Sequence, residues 1–147
     1  MPEKETLERA AEDKAEGKSP STQAGEFVRE EIEHVREGKH GARSAKQAIA
    51  IGLSKARRAG VKLAVPKKGK ASKETRKQAA RDLRKGKSPA KKKSAKRARA
   101  TSKALKREGR SAASKTALSR QARSAAAKRS AASRSRSAKK AAKTRKK

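Results

Sequence analysis

Large apolar residues recur at helical spacing in one stretch of the chain, residues 21–60. At about 100° per residue, the apolar positions of its first half fall on one arc: Ala24, Phe27, Val28, Ile32 and Val35. Ser21 or Thr22 can cap this helix, and Gly38 can end it. Glu31 projects into the apolar arc, which indicates either a peripheral position or a basic partner on the next helix.

A second amphipathic helix is predicted after the turn that begins at Gly38. Ser44 stands three residues before Gln47, which is capping-box spacing. One face of this helix carries Ala48, Ile49, Gly52, Leu53 and Ala56. The small residues on that face would let another backbone approach closely, and Gly60 suits the helix end. The alternating residues 61–65 then form either a short strand or an extended strap across the hairpin.

Beyond Pro66 the sequence consists mainly of Lys, Arg, Ala, Ser and Thr. Residues 72–85, 101–108 and 114–128 have good helix formers, but their like charges repel at i,i+4. We therefore expect disorder in the free protein and helix on binding. The predicted fold is mostly α, with three parts: an acidic N-terminal segment (1–20), a helix-turn-helix-like hairpin head (21–65) and a basic tail (66–147).

Composition limits the size of any core. The 147 residues are 31% hydrophobic, and Phe27 is the one aromatic residue. Most of the chain cannot bury enough apolar surface to offset its ordering entropy, which excludes a large core and most enzyme folds. Cysteine is absent, no apolar run reaches the ~18 residues of a membrane span, and the charged N-terminus is unlike a signal peptide. We expect a cytoplasmic, non-enzymatic protein without cofactor.

Charge is distributed unevenly along a chain whose net charge is +32. Residues 1–37 sum to −5, residues 38–65 to +7 and residues 66–147 to +30. Such a field favours a polyanionic partner, and DNA, RNA and an anionic membrane surface all qualify. We also expect the glutamates opposite the first apolar arc to dock on the chain's own tail: Glu26, Glu30, Glu33 and Glu37.

Two resemblances add to this reading. The string from AAEDK through EGKSPSTQAGEFVREE to GKHGARSAKQAIAIGLSKARRAGV, within residues 6–65, resembles a family of small basic bacterial proteins of unassigned function. This likeness implies a bacterial origin and transfers no functional residue. In KKGKASK, KSPAKKKSAKRARA and SAKKAAKTRKK, the tail resembles linker histones and their bacterial counterparts, which implies DNA compaction.

Candidate nucleic-acid contacts are the cations of the second helix, its flanks and the tail clusters. They are Lys39, Arg43, Lys46, Lys55, Arg57, Arg58, Lys62, Lys67, Lys68, Lys70, Lys91, Lys92, Lys93, Lys96, Arg97, Arg99, Arg134, Arg136, Lys139 and Lys140. Each phosphate neutralised would release condensed counterions, whatever the base sequence. With carboxylates near His34 and His40 explained by the helix face, we predict no metal site and no catalytic residue.

The resulting hypothesis is a nucleoid-associated, histone-like protein that binds and compacts DNA with little sequence preference. An RNA- or ribosome-associated protein stays open, since the Arg/Ser run at 133–137 resembles RNA-binding segments. A protein-interaction module with a charged tail is the third alternative. The apolar faces of the hairpin could also pair two copies of the chain as a homodimer.

Overall fold

The computed structural model describes residues 1–89 and 94–145. The mostly helical fold predicted from the sequence is confirmed, and within the described residues the one β pairing is an isolated bridge between Lys68 and Ala71. The α-helices are α1 Lys4–Ala15, α2 Pro20–Glu37, α3 Ala45–Arg58, α4 Lys73–Lys87, α5 Ala95–Lys106, α6 Lys115–Ala127 and α7 Ala131–Arg145. A 3-10 helix, Ser111–Ala113, lies between α5 and α6.

Helix α2 begins two residues earlier than predicted. Ser19, not Ser21 or Thr22, is the N-cap, and its hydroxyl accepts from the backbone N–H of Thr22. Proline at the first helical position loses nothing, because that N–H has no partner inside the helix. The predicted end at Gly38 is confirmed by its left-handed conformation, with φ 78°.

Helix α3 starts as predicted, with Ser44 accepting from the backbone N–H of Gln47 at 3.2 Å. The Gln47 side chain turns back to accept from the N–H of Arg43 at 2.7 Å. Gly60 follows the last turn with φ 98°. Residues 61–65 form the extended strap rather than the strand, and buried Val61 covers the end of the hairpin.

The hairpin of α2 and α3 is closely packed, as the small residues of α3 predicted. A Cβ added at Gly52 would lie 2.6 Å from the Cα of Val28, so the two backbones nearly touch there. One apolar cluster, near the turn, is built on Ile32, Val35, Ala42 and Ala48. The other, toward the open end, is built on Ala10, Ala24, Phe27, Ala56 and Val61.

Segments outside residues 21–65 complete this core. Helix α1 packs on α2, and α4 packs on α3. Ala112 and Ala113 of the 3-10 helix are buried in the cluster near the turn. The turn itself is bound to this segment, because the N–H groups of Gly41 and Ala42 donate to carbonyls of Leu105 and Gly109. A Cβ on Gly41 would lie 1.9 Å from the carbonyl oxygen of Glu108, so a side chain there would break the contact.

The long disordered tail predicted from the sequence is not seen: helices continue to Arg145. The four α-helices described in the tail each begin after a serine whose hydroxyl accepts from the N–H three residues on, namely Ser72, Ser94, Ser114 and Ser130. Such caps, with Ala, Lys and Arg as helix formers, offset the repulsion between like charges. No helix in the described ranges combines the length and apolarity needed to cross a bilayer.

Candidate nucleic-acid interface

Three of the predicted phosphate contacts on α3 are engaged inside the protein. Lys55 bonds two buried glutamates. Arg57 is 7% exposed and donates to the carbonyl oxygens of residues 63 and 64, which holds the strap against α3. Arg58 lies 2.7 Å from a carboxylate oxygen of buried Asp82 on α4. Phosphate binding by these three side chains would compete with the packing of the head.

The other predicted cations of residues 38–70 are exposed. Lys39 and Arg43 each have a carboxylate partner, Glu3 and Glu108 respectively. The remaining members of this group lie on the surface of α3, the strap and the loop before α4: Lys46, Lys62, Lys67, Lys68 and Lys70. The predicted contacts at Lys91, Lys92 and Lys93 lie outside the described residues.

Helices α5 and α7 present the tail's predicted contacts to solvent. Every basic residue of these two helices is exposed, and neither helix buries a residue. The exposed set includes the predicted residues Lys96, Arg97, Arg99, Arg134, Arg136, Lys139 and Lys140. These side chains could therefore reach a partner without disturbing the core.

Helix formation aligns part of these cations in two rows that the sequence reading missed. On α5 the row is Lys96, Arg99, Lys103 and Lys106, and on α7 it is Arg136, Lys139, Lys140 and Lys143. Spacing of three, four and seven residues places each set on one helix face. The spacing is visible in the sequence, but it aligns side chains on one face only if the segment is helical, and the tail was expected to be disordered.

A further cationic site appears where α6 begins. Arg36, Arg110 and Lys115 line an open depression together with Ala113 and Ser114. The Arg36 guanidinium is fixed there by donating to the carbonyl oxygen of Ala113 at 3.0 Å. No pattern in the sequence links these three residues, because they come from α2, a loop and α6.

Two adjacent buried glutamates of α2 share one lysine. The Lys55 ammonium lies 3.0 Å from Glu30 Oε1 and 2.6 Å from Glu31 Oε2. Burial disfavours the charge on Lys55, but the two carboxylates outweigh it and raise its pKa above the usual value. Burial would likewise raise the pKa of Glu30, yet hydrogen bonds from Lys55, Thr6 and the Glu3 backbone lower it. The basic partner anticipated for Glu31 is thus Lys55.

Both histidines of the chain lie beside this pair. His40 Nε2 is 2.9 Å from Glu31 Oε1, and its Nδ1 is 3.0 Å from the carbonyl oxygen of Gly41. His34 Nε2 is 2.9 Å from Glu3 Oε1, which also accepts from Lys39. Hydrogen bonds from His34 and Lys39 lower the pKa of the Glu3 carboxyl to about 2.

The expected docking of the acidic face on the tail is not what the structure shows. Glu30 is 2% exposed and belongs to the core. Among the described residues, the cations that pair with Glu26, Glu33 and Glu37 come from the N-terminal segment and the head: Arg9, Arg29 and Lys39. The sequence pattern placed Glu30 opposite the apolar arc, but in the structure α1 and the residue before it cover this carboxylate.

Asp82 joins α4 to α3 through a buried carboxylate. Its oxygens accept from Ser54, Arg58 and Gln78 at 2.7–3.0 Å. Burial alone would raise the pKa of Asp82, but the hydrogen bonds from these three side chains outweigh it and lower the pKa.

Stability should therefore depend on pH through Asp82. A lowered folded pKa means that the carboxylate contributes stability above its unfolded pKa, near ~4, and that this stability is lost as pH falls through the folded value. We expect Asp82→Asn to reduce the free energy of unfolding by about 1–3 kcal/mol at neutral pH and to weaken its decline below about pH 4. Urea unfolding between about pH 7 and pH 3 measures both. Glu74→Gln, an exposed carboxylate on the same helix, should change neither by as much; equal effects would contradict the assignment.

Comparison with known proteins gives one partial match. Residues 13–70 match the profile of a family of unknown function, DUF6496. The match spans α2, α3 and the strap, which fits the resemblance of this region to an uncharacterised family. No curated protein and no solved structure matched the chain.

Proposed function

We propose that this protein is a non-enzymatic, nucleoid-associated factor that binds and compacts duplex DNA with little sequence preference. The observation that supports this most is the exposure of every basic side chain on α5 and α7, including the two aligned rows. The family match carries no functional assignment.

The cations of the tail have few anions of their own. Residues 66–147 contain three acidic residues: Glu74, Asp82 and Glu108. Asp82 is paired with Arg58 and Glu108 with Arg43, both from the head. The cationic rows on α5 and α7 have no acidic side chain on their own helices. A polyanion that supplies the missing negative charge would relieve their mutual repulsion.

The dimensions of the rows suit a nucleic-acid backbone. At ~1.5 Å rise per residue, the row from Lys96 to Lys106 extends about 15 Å. Duplex DNA carries one negative charge per ~1.7 Å of its axis, so a helix lying along it meets several phosphates. Each contact would be electrostatic and independent of the bases.

Stacking on unpaired bases is disfavoured by the side chains present. The chain contains no Tyr or Trp. Its one aromatic residue, Phe27, is buried in the head, so stacking on unpaired bases is not available to it. We therefore favour duplex DNA over single-stranded nucleic acid.

Structured RNA is the second candidate, because Ser133–Ser137 of the Arg/Ser run lie on exposed α7 and A-form RNA is also recognised through its phosphates. A role as a protein-interaction module stays a prediction without a surface that favours it. The homodimer through the hairpin's apolar faces also stays a prediction. Within one chain, those faces already pack against α1, α4 and the 3-10 helix.

A direct competition would test this proposal. Full-length protein is mixed with labelled duplex DNA, and unlabelled duplex DNA or structured RNA of equal charge is added at several salt concentrations. We expect DNA to compete at least as well as RNA, duplexes of unrelated sequence to compete equally, and the DNA to condense at high protein ratio. A consistent advantage of RNA would move the assignment to an RNA-associated protein. A strong preference for one duplex sequence would contradict backbone binding.

A further inference from the structure

We propose that Glu31, His34 and His40 form a binding site for a divalent transition-metal ion of the zinc class. One potential ligand atom from each of the three side chains lies within 4.8 Å of the other two. Glu31 is 1% exposed, and His34 and His40 are each less than one-fifth exposed. Two imidazoles and a carboxylate make a donor set that zinc accepts in proteins.

Local folding brings these ligands together. Glu31 and His34 are three residues apart on α2, so both side chains lie on one helix face. Gly38, in the left-handed conformation, then reverses the chain and returns His40 toward the same face. The two imidazole rings meet edge to face, with centroids 6.1 Å apart.

The hydrogen bonding of His40 favours a cation in this position. A carbonyl oxygen can only accept, so the Nδ1 of His40 must donate to Gly41. A neutral His40 then directs the lone pair of Nε2 at Glu31 Oε1, only 2.9 Å away. Two lone pairs at that distance repel unless a proton or a metal ion lies between them. Fixing Nδ1 on a carbonyl is also how proteins orient histidines that bind a metal through Nε2.

The surrounding charges also favour a cation. Glu3, Glu30 and Glu31 outnumber the two ammonium groups that touch them, Lys39 and Lys55. Lys55 occupies the second oxygen of Glu31 at 2.6 Å, which leaves Oε1 of Glu31 facing His40. Ligands of one zinc ion lie roughly 3–3.5 Å apart. The His40 and Glu31 atoms are already 2.9 Å apart, and separations of up to 4.8 Å within the cluster would have to shorten by at most about 1–2 Å.

A bound ion would act on the junction between head and tail. His40 lies in the turn whose next residues, Gly41 and Ala42, bond the segment between α5 and the 3-10 helix. An ion that links this turn to α2 would stabilise the backbone hydrogen bonds between the turn and that segment of the tail. The inference concerns the head alone and does not depend on DNA binding.

The test uses Zn²⁺ itself on full-length protein stripped of metal with a chelator. We expect one equivalent to bind in calorimetry, to raise the midpoint of thermal unfolding, and to shift the imidazole NMR signals of both histidines. The chain has only these two histidines and no cysteine, so the signals are unambiguous. His34→Ala, His40→Ala and Glu31→Gln should each weaken Zn²⁺ binding by at least about tenfold. Co²⁺ should give the visible absorption of a nitrogen- and oxygen-ligated ion, and lose it in the same variants.

Glu33→Gln is the matched control, because Glu33 lies beside His34 on α2 and pairs with Arg29 instead. It should bind Zn²⁺ like the unmodified chain. If neither imidazole responds to one equivalent of Zn²⁺, or if Glu33→Gln weakens binding as much as His40→Ala, the cluster is not a metal site. The imidazole signals of the unmodified chain decide this even if a variant fails to fold.

Discussion

Neutralising the cationic row on α7 should lower both the affinity for DNA and its salt dependence. The variant replaces Arg136, Lys139, Lys140 and Lys143 with glutamine, which keeps good helix propensity and removes four exposed charges. If about ten phosphates are neutralised by the full chain, log affinity falls against log salt with a slope near −9. Losing four of them should change the slope to about −5.5. Because this electrostatic contribution is small at ~1 M salt, a slope difference of about 3.5 gives a loss of affinity of roughly three-thousandfold at ~0.1 M salt.

The measurement is a titration of labelled duplex DNA at several salt concentrations for both proteins. A control with the same net charge replaces four exposed cations of the acidic N-terminal third: Lys4, Lys14, Lys18 and Arg29. Its slope should stay within about one unit of the original. If the control weakens DNA binding as much as the α7 variant, net charge alone determines the affinity and the position of the row on α7 does not matter. If neither variant changes the slope, α7 does not contact phosphate.

Replacing Lys55 with methionine should destabilise the head by about 3–5 kcal/mol. Lys55 is the ammonium partner of both Glu30 and Glu31, whose side chains are 1–2% exposed. Without it, two neighbouring carboxylates remain buried with like charge, and the cost is their desolvation rather than the lost attraction alone. The free energy of unfolding of a small domain is only about 5–15 kcal/mol, so the variant should unfold at a much lower urea concentration. Urea unfolding with a chelator present separates this effect from any bound metal.

A matched control and a rescue make the cause testable. Lys46→Met removes an exposed lysine of the same helix and should lower the free energy of unfolding by less than about 1 kcal/mol. Adding Glu30→Gln and Glu31→Gln to the Lys55 variant should recover part of its loss, since no unpaired charge remains buried. A loss of under about 1 kcal/mol for Lys55→Met would mean that water reaches the glutamates and that the cluster acts as a surface pair.

The boundaries and caps of the hairpin were predictable because their causes are local. Ser44, Gly38 and the small face of α3 act within a few residues of sequence, and each is found in its expected role. The start of α2 was wrong by two residues because two neighbouring serines can cap a helix, and Pro20 favours the earlier one.

The tail was predicted wrongly because the balance between helix caps and charge repulsion was misjudged. The caps at Ser72, Ser94, Ser114 and Ser130 are visible in the sequence. Charge repulsion was expected to prevail over them, yet helices form up to Arg145. The two cationic rows follow from that helicity, so they were missed along with it.

The sequence by itself determined the helical hairpin, its turn and the strongly basic character of everything after Pro66, because spacing, caps and charge are properties of short stretches. Only the tertiary structure decided which charges are free to bind. It covers Glu30 with α1, assigns Lys55 and Arg57 to the core, pairs Arg58 with Asp82, and gathers Glu31 with His34 and His40. These outcomes depend on which helices pack together, since burial makes a polar group find a partner inside the fold, and no pattern along the chain specifies that partner.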